Sequence, residues 1–223
     1  MEQCRNPFAP EFDSLPETLA VFPLAGAFLL PSGQLPLNIF EPRYVQMIED
    51  ALAGNRLIGM ILPKTGQEQN PAPALEKTGC AGKIIEFSET ADGRYLITLA
   101  GIYRFDIAEE PSGGKPYRTI KPDWAPYAKD ARAFSCLDID REKLKALLKD
   151  YFTQHEMACS WQAVDNAPDG KLITCLSMIC PFEHREKQAL LEAPCCNTRA
   201  QMFMSMLEIA VSSGKAPLSN NCH

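Results

Sequence analysis

The stretch Leu19-Ala20-Val21-Phe22-Pro23-Leu24-Ala25-Gly26-Ala27-Phe28-Leu29-Leu30-Pro31-Ser32-Gly33-Gln34-Leu35-Pro36-Leu37-Asn38-Ile39-Phe40-Glu41-Pro42-Arg43-Tyr44 decides the fold. It holds three short apolar runs, 18–22, 27–30 and 35–40, punctuated by prolines and glycines. Each run reads as a strand, and each proline removes a ladder donor, so these strands lie at sheet edges or end sharply. A helix follows. Pro42 suits its first position, where a missing N–H costs nothing. Tyr44, Met47, Ile48, Ala51 and Leu52 then share one face, and Gly54 can supply a left-handed stop. Glu41 sits at the positive end of that helix, and Arg43 can fold back on Glu41 or on a loop carbonyl.

Working outward, strand signals continue to about residue 120. They occur at 57–62, at 83–87 and 94–99 around the Ala91-Asp92-Gly93 turn, at 102–107 with period two, and at 117–120. Gly79-Cys80-Ala81-Gly82-Lys83 reads as a turn into a strand, and 64–77, with Pro71 and Pro73, as a surface loop. Many short strands at close spacing imply a barrel or sandwich. Past the Pro- and Ala-containing stretch 122–135 the period becomes helical. Asp138 or Asp140 caps a helix facing inward through Leu144, Leu147, Leu148, Tyr151 and Phe152. Asp169 caps a second, stopped by Pro181. A third spans Phe182 to Glu192. A fourth opens at the Thr198-Arg199-Ala200-Gln201 capping box, faces inward through Met202, Met206, Leu207 and Ala210, and ends near Gly214. Short connections between helices favour a small bundle.

Composition narrows the function. The 223 residues carry 22 Lys+Arg against 28 Asp+Glu, a net charge of −6, with 46% hydrophobic residues. That is globular composition, and the chain is long enough to bury a core without staples. Residues 1–137 hold 13 basic and 17 acidic side chains, and 138–223 hold 9 and 11. Neither half is basic, which argues against nucleic acid as a partner. The most apolar stretch, 19–31, is too short and too interrupted to cross a bilayer as a helix. Nine scattered cysteines without a secretory leader fit reduced thiols in a cytoplasm.

No constellation names a reaction. Residues 79–83 fail the phosphate-loop pattern, because Lys77 stands where a glycine is needed and Ile84 where a hydroxyl is needed. His155-Glu156 begins a zincin-like pattern, but Cys159 replaces the second histidine, and the vicinal Cys195-Cys196 is awkward for one tetrahedral metal. There is no nucleophile elbow. A Cys159–His155 pair, one helical turn apart, is geometrically possible. The expectation is therefore no cofactor and no metal.

The opening stretch resembles the N-terminal domain of Lon proteases in its stand-alone bacterial form, whose pattern is roughly VFPL…LLPG…LPLHIFEPRY. The match runs through Val21-Phe22-Pro23-Leu24, Leu29-Leu30-Pro31, Leu35-Pro36-Leu37 and Ile39-Phe40-Glu41-Pro42-Arg43-Tyr44. It continues at Leu99-Ala100-Gly101-Ile102-Tyr103-Arg104-Phe105 and at 186–194 with Arg199, spanning about 18–212. Asn38 stands where the family usually has His, and Ser32 intervenes between Pro31 and Gly33. The resemblance implies an α+β fold: a PUA-like β-barrel with one inserted helix over 1–125, an α-helical bundle over 136–214, and a tail, 215–223. It implies a non-enzymatic module binding unfolded protein or peptide segments, with a separate protease as a further partner and without ATPase or protease modules. The candidate surface is the Pro-rich edge at Phe28, Pro31, Leu35, Pro36, Phe40, Glu41, Arg43 and Tyr44, where an exposed strand edge can accept an extended peptide. For Phe40 and Tyr44 the competing reading is core packing. Two other functions stay open: a small Cys/His hydrolase using the cleft between barrel and bundle, and an RNA-binding PUA-like protein.

Overall fold

In the computed structural model, which describes residues 6–67, 70, 72–111, 113–130, 137 and 139–214, the N-terminal unit is organised around the fully buried ring of Phe105. A Cβ on Gly59 would come within 2.9 Å of that ring, and one on Gly79 within 2.5 Å. The strands crossing the ring therefore need glycine there. For this reason Gly79-Cys80-Ala81-Gly82-Lys83 is not a turn but lies inside a long strand.

Six strands form the sheet: β1 (Leu19–Pro23), β2 (Gln34–Ile39), β3 (Leu57–Ile61), β4 (Thr78–Glu89), β5 (Tyr95–Glu109) and β6 (Arg118–Asp123). Their order is β2-β5-β4-β3-β1-β6, and β6 also pairs with β5. Hydrogen-bonded neighbours thus run from β5 through β4, β3, β1 and β6 back to β5, with β2 added outside. All pairs are antiparallel except β1–β3. That parallel pair is reached by a crossover through β2 and helix α1 (Pro42–Ala53). Leu19, Val21, Leu57, Ile61, Ile102, Tyr103, Phe105 and Ile120 fill the interior.

The expected runs 94–99 and 102–107 are one strand, β5, which pairs with β2 along 95–100 and with β6 along 106–109. Run 27–30 is not a strand. Leu29 and Leu30 are buried, and the segment docks on β5 through Ser32 N–H to the Gly101 carbonyl and Gly101 N–H to the Gly33 carbonyl, both 2.9 Å. The helix stop also differs. Gly54 has φ −113°, and the left-handed conformation falls on Arg56, φ +62°. The 91–93 turn is as expected, with Gly93 at φ +78°.

The chain divides into units 1–133 and 134–223. The second contains α2 (Arg141–Gln154), α3 (Trp161–Asn166), α4 (Asp169–Ile179), α5 (His184–Glu192) and α6 (Cys196–Ser213). Asp140 caps α2 by accepting from the Lys143 N–H, and Leu144, Leu148, Tyr151 and Phe152 are buried. Helix α3, capped by Ser160, was not foreseen in the sequence pattern. Asp169 is the first residue of α4, not its cap. Helix α6 opens ahead of Thr198, because the Cys195 sulfur accepts from the Thr198 N–H. It buries Arg199, Ala200, Phe203 and Leu207, and leaves Met202 and Met206 half-buried. Part of the 122–135 stretch, Asp138 as an alternative cap and the tail 215–223 lie outside the described residues.

One buried network makes the first unit's stability pH-dependent. Asp106 accepts from Thr78 Oγ1 (2.7 Å) and the Tyr127 hydroxyl (2.9 Å), and pairs with Lys77 Nζ (2.7 Å). Burial pushes its carboxyl pKa up, but Lys77 and the two hydroxyls together outweigh burial and hold it below the ordinary value. The pair's stabilisation is therefore complete above the unfolded-chain pKa of about 4 and is lost as pH falls through the lower folded value. The Asp106→Asn variant is expected to be less stable than wild type at pH 7 and to converge on it as pH falls below the ordinary carboxylate range, read as urea midpoints against pH. Parallel curves would contradict this assignment.

Candidate functional site

The β2–β5–β4 end of the sheet extends past the closed run of pairings as a three-stranded tip. Register sets its two faces. Pro36 pairs with Thr98 and Asn38 with Leu96, while Glu86 and Ser88 of β4 pair with the same two β5 residues. Directly opposed residues share a face, so Pro36, Asn38, Leu96, Thr98, Glu86 and Ser88 form one side, lining a shallow groove of about 440 Å³. Leu37, Ile39, Ile97 and Tyr95 form the other, where Ile39 and Ile97 are buried and the Tyr95 hydroxyl donates to Glu49 Oε1 of α1 (3.0 Å).

This tip carries the exposed large apolar side chains of the N-terminal unit. Phe40 is 63% exposed, Leu96 45% and Phe87 44%. Phe40 follows β2 directly, with the Arg94 guanidinium 5.8 Å from its ring. Phe87 packs edge-on against Tyr95 at 4.9 Å. Large apolar groups left in water at one end of a folded unit are the ordinary mark of an interaction surface.

The eight residues expected at the site separate. Phe40 and Pro36 are exposed, and Leu35, Glu41 and Arg43 are half-buried. Phe28 (3% exposed) and Tyr44 (6%) are core residues, and Pro31 is buried. Arg43 does fold back on Glu41, with Nη2–Oε2 at 2.8 Å, while stacking on Tyr44 at 4.5 Å. The pattern missed Phe87, Leu96 and Glu86. All three sit inside runs read simply as strands, and only the β2–β5–β4 register brings Glu86 and Leu96 onto the face of Pro36 and Phe87 onto the opposite one.

Pro36 also decides how the tip can be used. β2 has β5 as its sole strand partner among the described residues, so its other edge is open. A proline is accommodated in a ladder where its nitrogen faces away from the paired neighbour, which puts the missing donor on that open edge. A second strand could not pair there without a gap. The usable surface is therefore the face of the tip rather than its edge.

A larger cleft, about 600 Å³, lies beside Arg43 and Tyr44 and is walled by Lys115, Tyr117, Arg118 and Glu110. Its cations are internally matched: Arg43 by Glu41, Lys115 by Asp50 (2.8 Å) and Arg118 by Glu110 (2.5 Å). Lys115, with the Tyr117 hydroxyl and Gln46, holds the Asp50 carboxyl down at about 2.

The thiols do not assemble a nucleophile around His155. Its ring stacks on Tyr151 at 4.0 Å, and neither ring nitrogen has a hydrogen-bond partner. Burial raises the Cys159 thiol pKa and pushes Cys180 up to about 12. Cys195 moves down, because the Thr198 hydroxyl and N–H stabilise its thiolate, and it is exposed. Among the described cysteines, Cys195 is expected to be alkylated fastest near pH 7 and Cys180 slowest, by peptide mapping after timed iodoacetamide treatment. A faster Cys159 would restore the hydrolase reading.

Comparison with known proteins gives consistent findings. The family described as the ATP-dependent protease La (LON) substrate-binding domain matches residues 18–208. Lon protease 2 of Myxococcus xanthus is 22% identical over 198 residues, covering 87% of this chain and 24% of that protein. A Lon protease of Desulfosudis oleivorans is 31% identical over 107 residues, 44% of this chain and 13% of the relative. The chain thus spans a quarter or less of these relatives. Among solved structures, a Lon N-terminal domain protein from Xanthomonas campestris aligns with TM-score 0.56 at 19% identity, covering 84% of this chain and 97% of that one. The N-terminal domain of a Mycobacterium avium complex Lon protease aligns with TM-score 0.59 at 15% identity, covering 86% and 98%. At these identities the structures speak for the fold.

Proposed function

From the premise that the chain belongs to the Lon protease substrate-binding domain family, we propose that it is a non-enzymatic module capturing unfolded segments of other proteins on the face of the β2–β5–β4 tip. The observation that carries this reading is that three large apolar side chains at this one tip each keep more than two-fifths of their surface in water: Leu96 on the groove face, Phe87 on the opposite face beside Tyr95, and Phe40 just past the end of β2. An unfolded client presents apolar side chains in water as well, and bringing the two together removes both surfaces from solvent. In this reading the run of pairings that returns to β5 is a PUA-like barrel and the helices of the second unit are a small bundle. The module works in the cytoplasm, without cofactor or metal, and delivers clients to a separate protease. The His155 ring, whose nitrogens have no hydrogen-bond partner, and the raised thiol pKa of Cys159 favour binding over hydrolysis by that pair.

The test is a titration of fluorescently labelled, unfolded casein, with ATP and magnesium present and the casein followed on gels. Saturable binding with intact casein is the expected outcome. Failure to bind, or cleavage that depends on the protein, would overturn the reading.

A further inference from the structure

The charges around the tip are lopsided. Arg94 is matched by Asp92 at 2.8 Å, and Arg43 by Glu41 at 2.8 Å. Glu49, Glu86 and Glu89 have no cation within ion-pair distance among the described residues. Glu49 only accepts from the Tyr95 hydroxyl, and Glu86 from the Thr98 hydroxyl at 2.6 Å. Glu86 lines the groove beside Leu96. Glu89, the cross-strand partner of Tyr95, is exposed two residues beyond Phe87. Lys83, the nearest cation along β4, lies beyond the register shift between Ile84 and Glu86. Both faces of the tip thus carry unneutralised carboxylates, Glu86 on the groove face with Leu96, and Glu89 and Glu49 on the Tyr95 face with Phe87, in a chain already at net −6.

Resting on the reading above, we propose that the tip selects among unfolded segments by charge, taking apolar stretches that carry lysine or arginine over those that carry aspartate or glutamate. Carboxylates within about 10 Å of a bound segment act on its charges at ordinary ionic strength. Unlike the apolar contacts, their effect has a sign, so they discriminate between clients of equal hydrophobicity. Each exposed pair is worth a factor of up to about five in affinity, so two or three acting together give roughly tenfold discrimination between oppositely charged segments.

The experiment uses three labelled peptides with identical apolar positions, the intervening positions being lysine, serine or glutamate. Each is titrated by anisotropy against the full chain at low and at high salt. The expected affinity order is lysine, serine, glutamate, with about a tenfold spread at low salt that shrinks at high salt. The exposed-site double variant Glu86→Gln/Glu89→Gln should narrow it at low salt. If all three peptides bind wild type equally, the charge inference fails while the binding module stands. If none binds, the binding module itself fails. If the lysine peptide binds a Phe40→Ser/Leu96→Ser variant as well as wild type, attraction is not tied to the tip and the inference is overturned. The same holds if sedimentation shows the tip covered by a second copy of the chain.

Discussion

Replacing Phe40 and Leu96 together by serine is expected to weaken binding of unfolded casein about thirtyfold while leaving the thermal midpoint nearly unchanged. The magnitude follows from exposure. Fully burying such a side chain is worth about 1.5–3 kcal/mol. Phe40 has 63% and Leu96 45% of its surface still in water, so each has roughly half of that left to gain on contact with a client. Two such contributions make about 2 kcal/mol, or roughly thirtyfold in affinity. The folded state loses little. Phe40 lies outside the strands, and Leu96 faces the groove from the paired part of β5, where exchanging one exposed side chain for another costs under about 1 kcal/mol. Phe28→Ser is the informative contrast, because that ring is in the core and its loss must lower stability before it says anything about binding. An unchanged affinity in the double variant would remove the tip from the function.

The helix at Pro42, the Asp92-Gly93 turn and the inward face of α2 were legible because each is written within a dozen consecutive residues. What was not legible depends on partners distant in sequence. Gly79 and Gly82 carry turn chemistry on their own, and only the ring of Phe105 and the side chain of Leu29 turn them into strand residues. Run 27–30 has the apolarity of a strand, yet its backbone meets β5 at a single point. The same limit applies to the site. The proline-rich run contains β2 and the exposed Phe40, but its apolar residues fall on both sides of the backbone. Period two alone does not say which side is covered: Phe28 is buried, and so is Tyr44, against Phe22 of β1, while Phe40 stays out. Half of the tip comes from the 86–96 hairpin, whose turn is written in the sequence but whose place beside β2 is not.

That single point of docking yields the second large effect. Gly101 in β5 lies directly beneath the segment that leads into β2. A Cβ placed on it would stand 2.1 Å from the Leu30 carbonyl oxygen and 2.9 Å from its carbon. Its cross-strand neighbour Gly82 would bring a Cβ within 2.7 Å of Leu29. The obstructing atoms at Gly101 are backbone, and they are held in place. Gly33 N–H donates to the Leu30 carbonyl at 2.9 Å, and both the N–H and the carbonyl of Gly101 bond to the same turn. Nothing can swing aside as a side chain would, so Gly101→Ala must lift residues 29–33 off the strand. This empties the space under two buried leucines and breaks the bonds at Ser32 and Gly33. Overpacking of this kind, with hydrogen bonds lost as well, is expected to cost about 3 kcal/mol or more. Gly113→Ala, whose Cβ would meet nothing closer than 3.8 Å, is expected to cost under about 0.5 kcal/mol. Because residues 29–33 feed straight into β2, Gly101→Ala should also release the strand carrying Pro36 and the approach to Phe40. Casein affinity then falls at temperatures where the rest of the unit remains folded by circular dichroism. Equal unfolding midpoints for the two alanine variants would show that the segment does not rest on Gly101, and that the tip owes its shape to something other than this close approach.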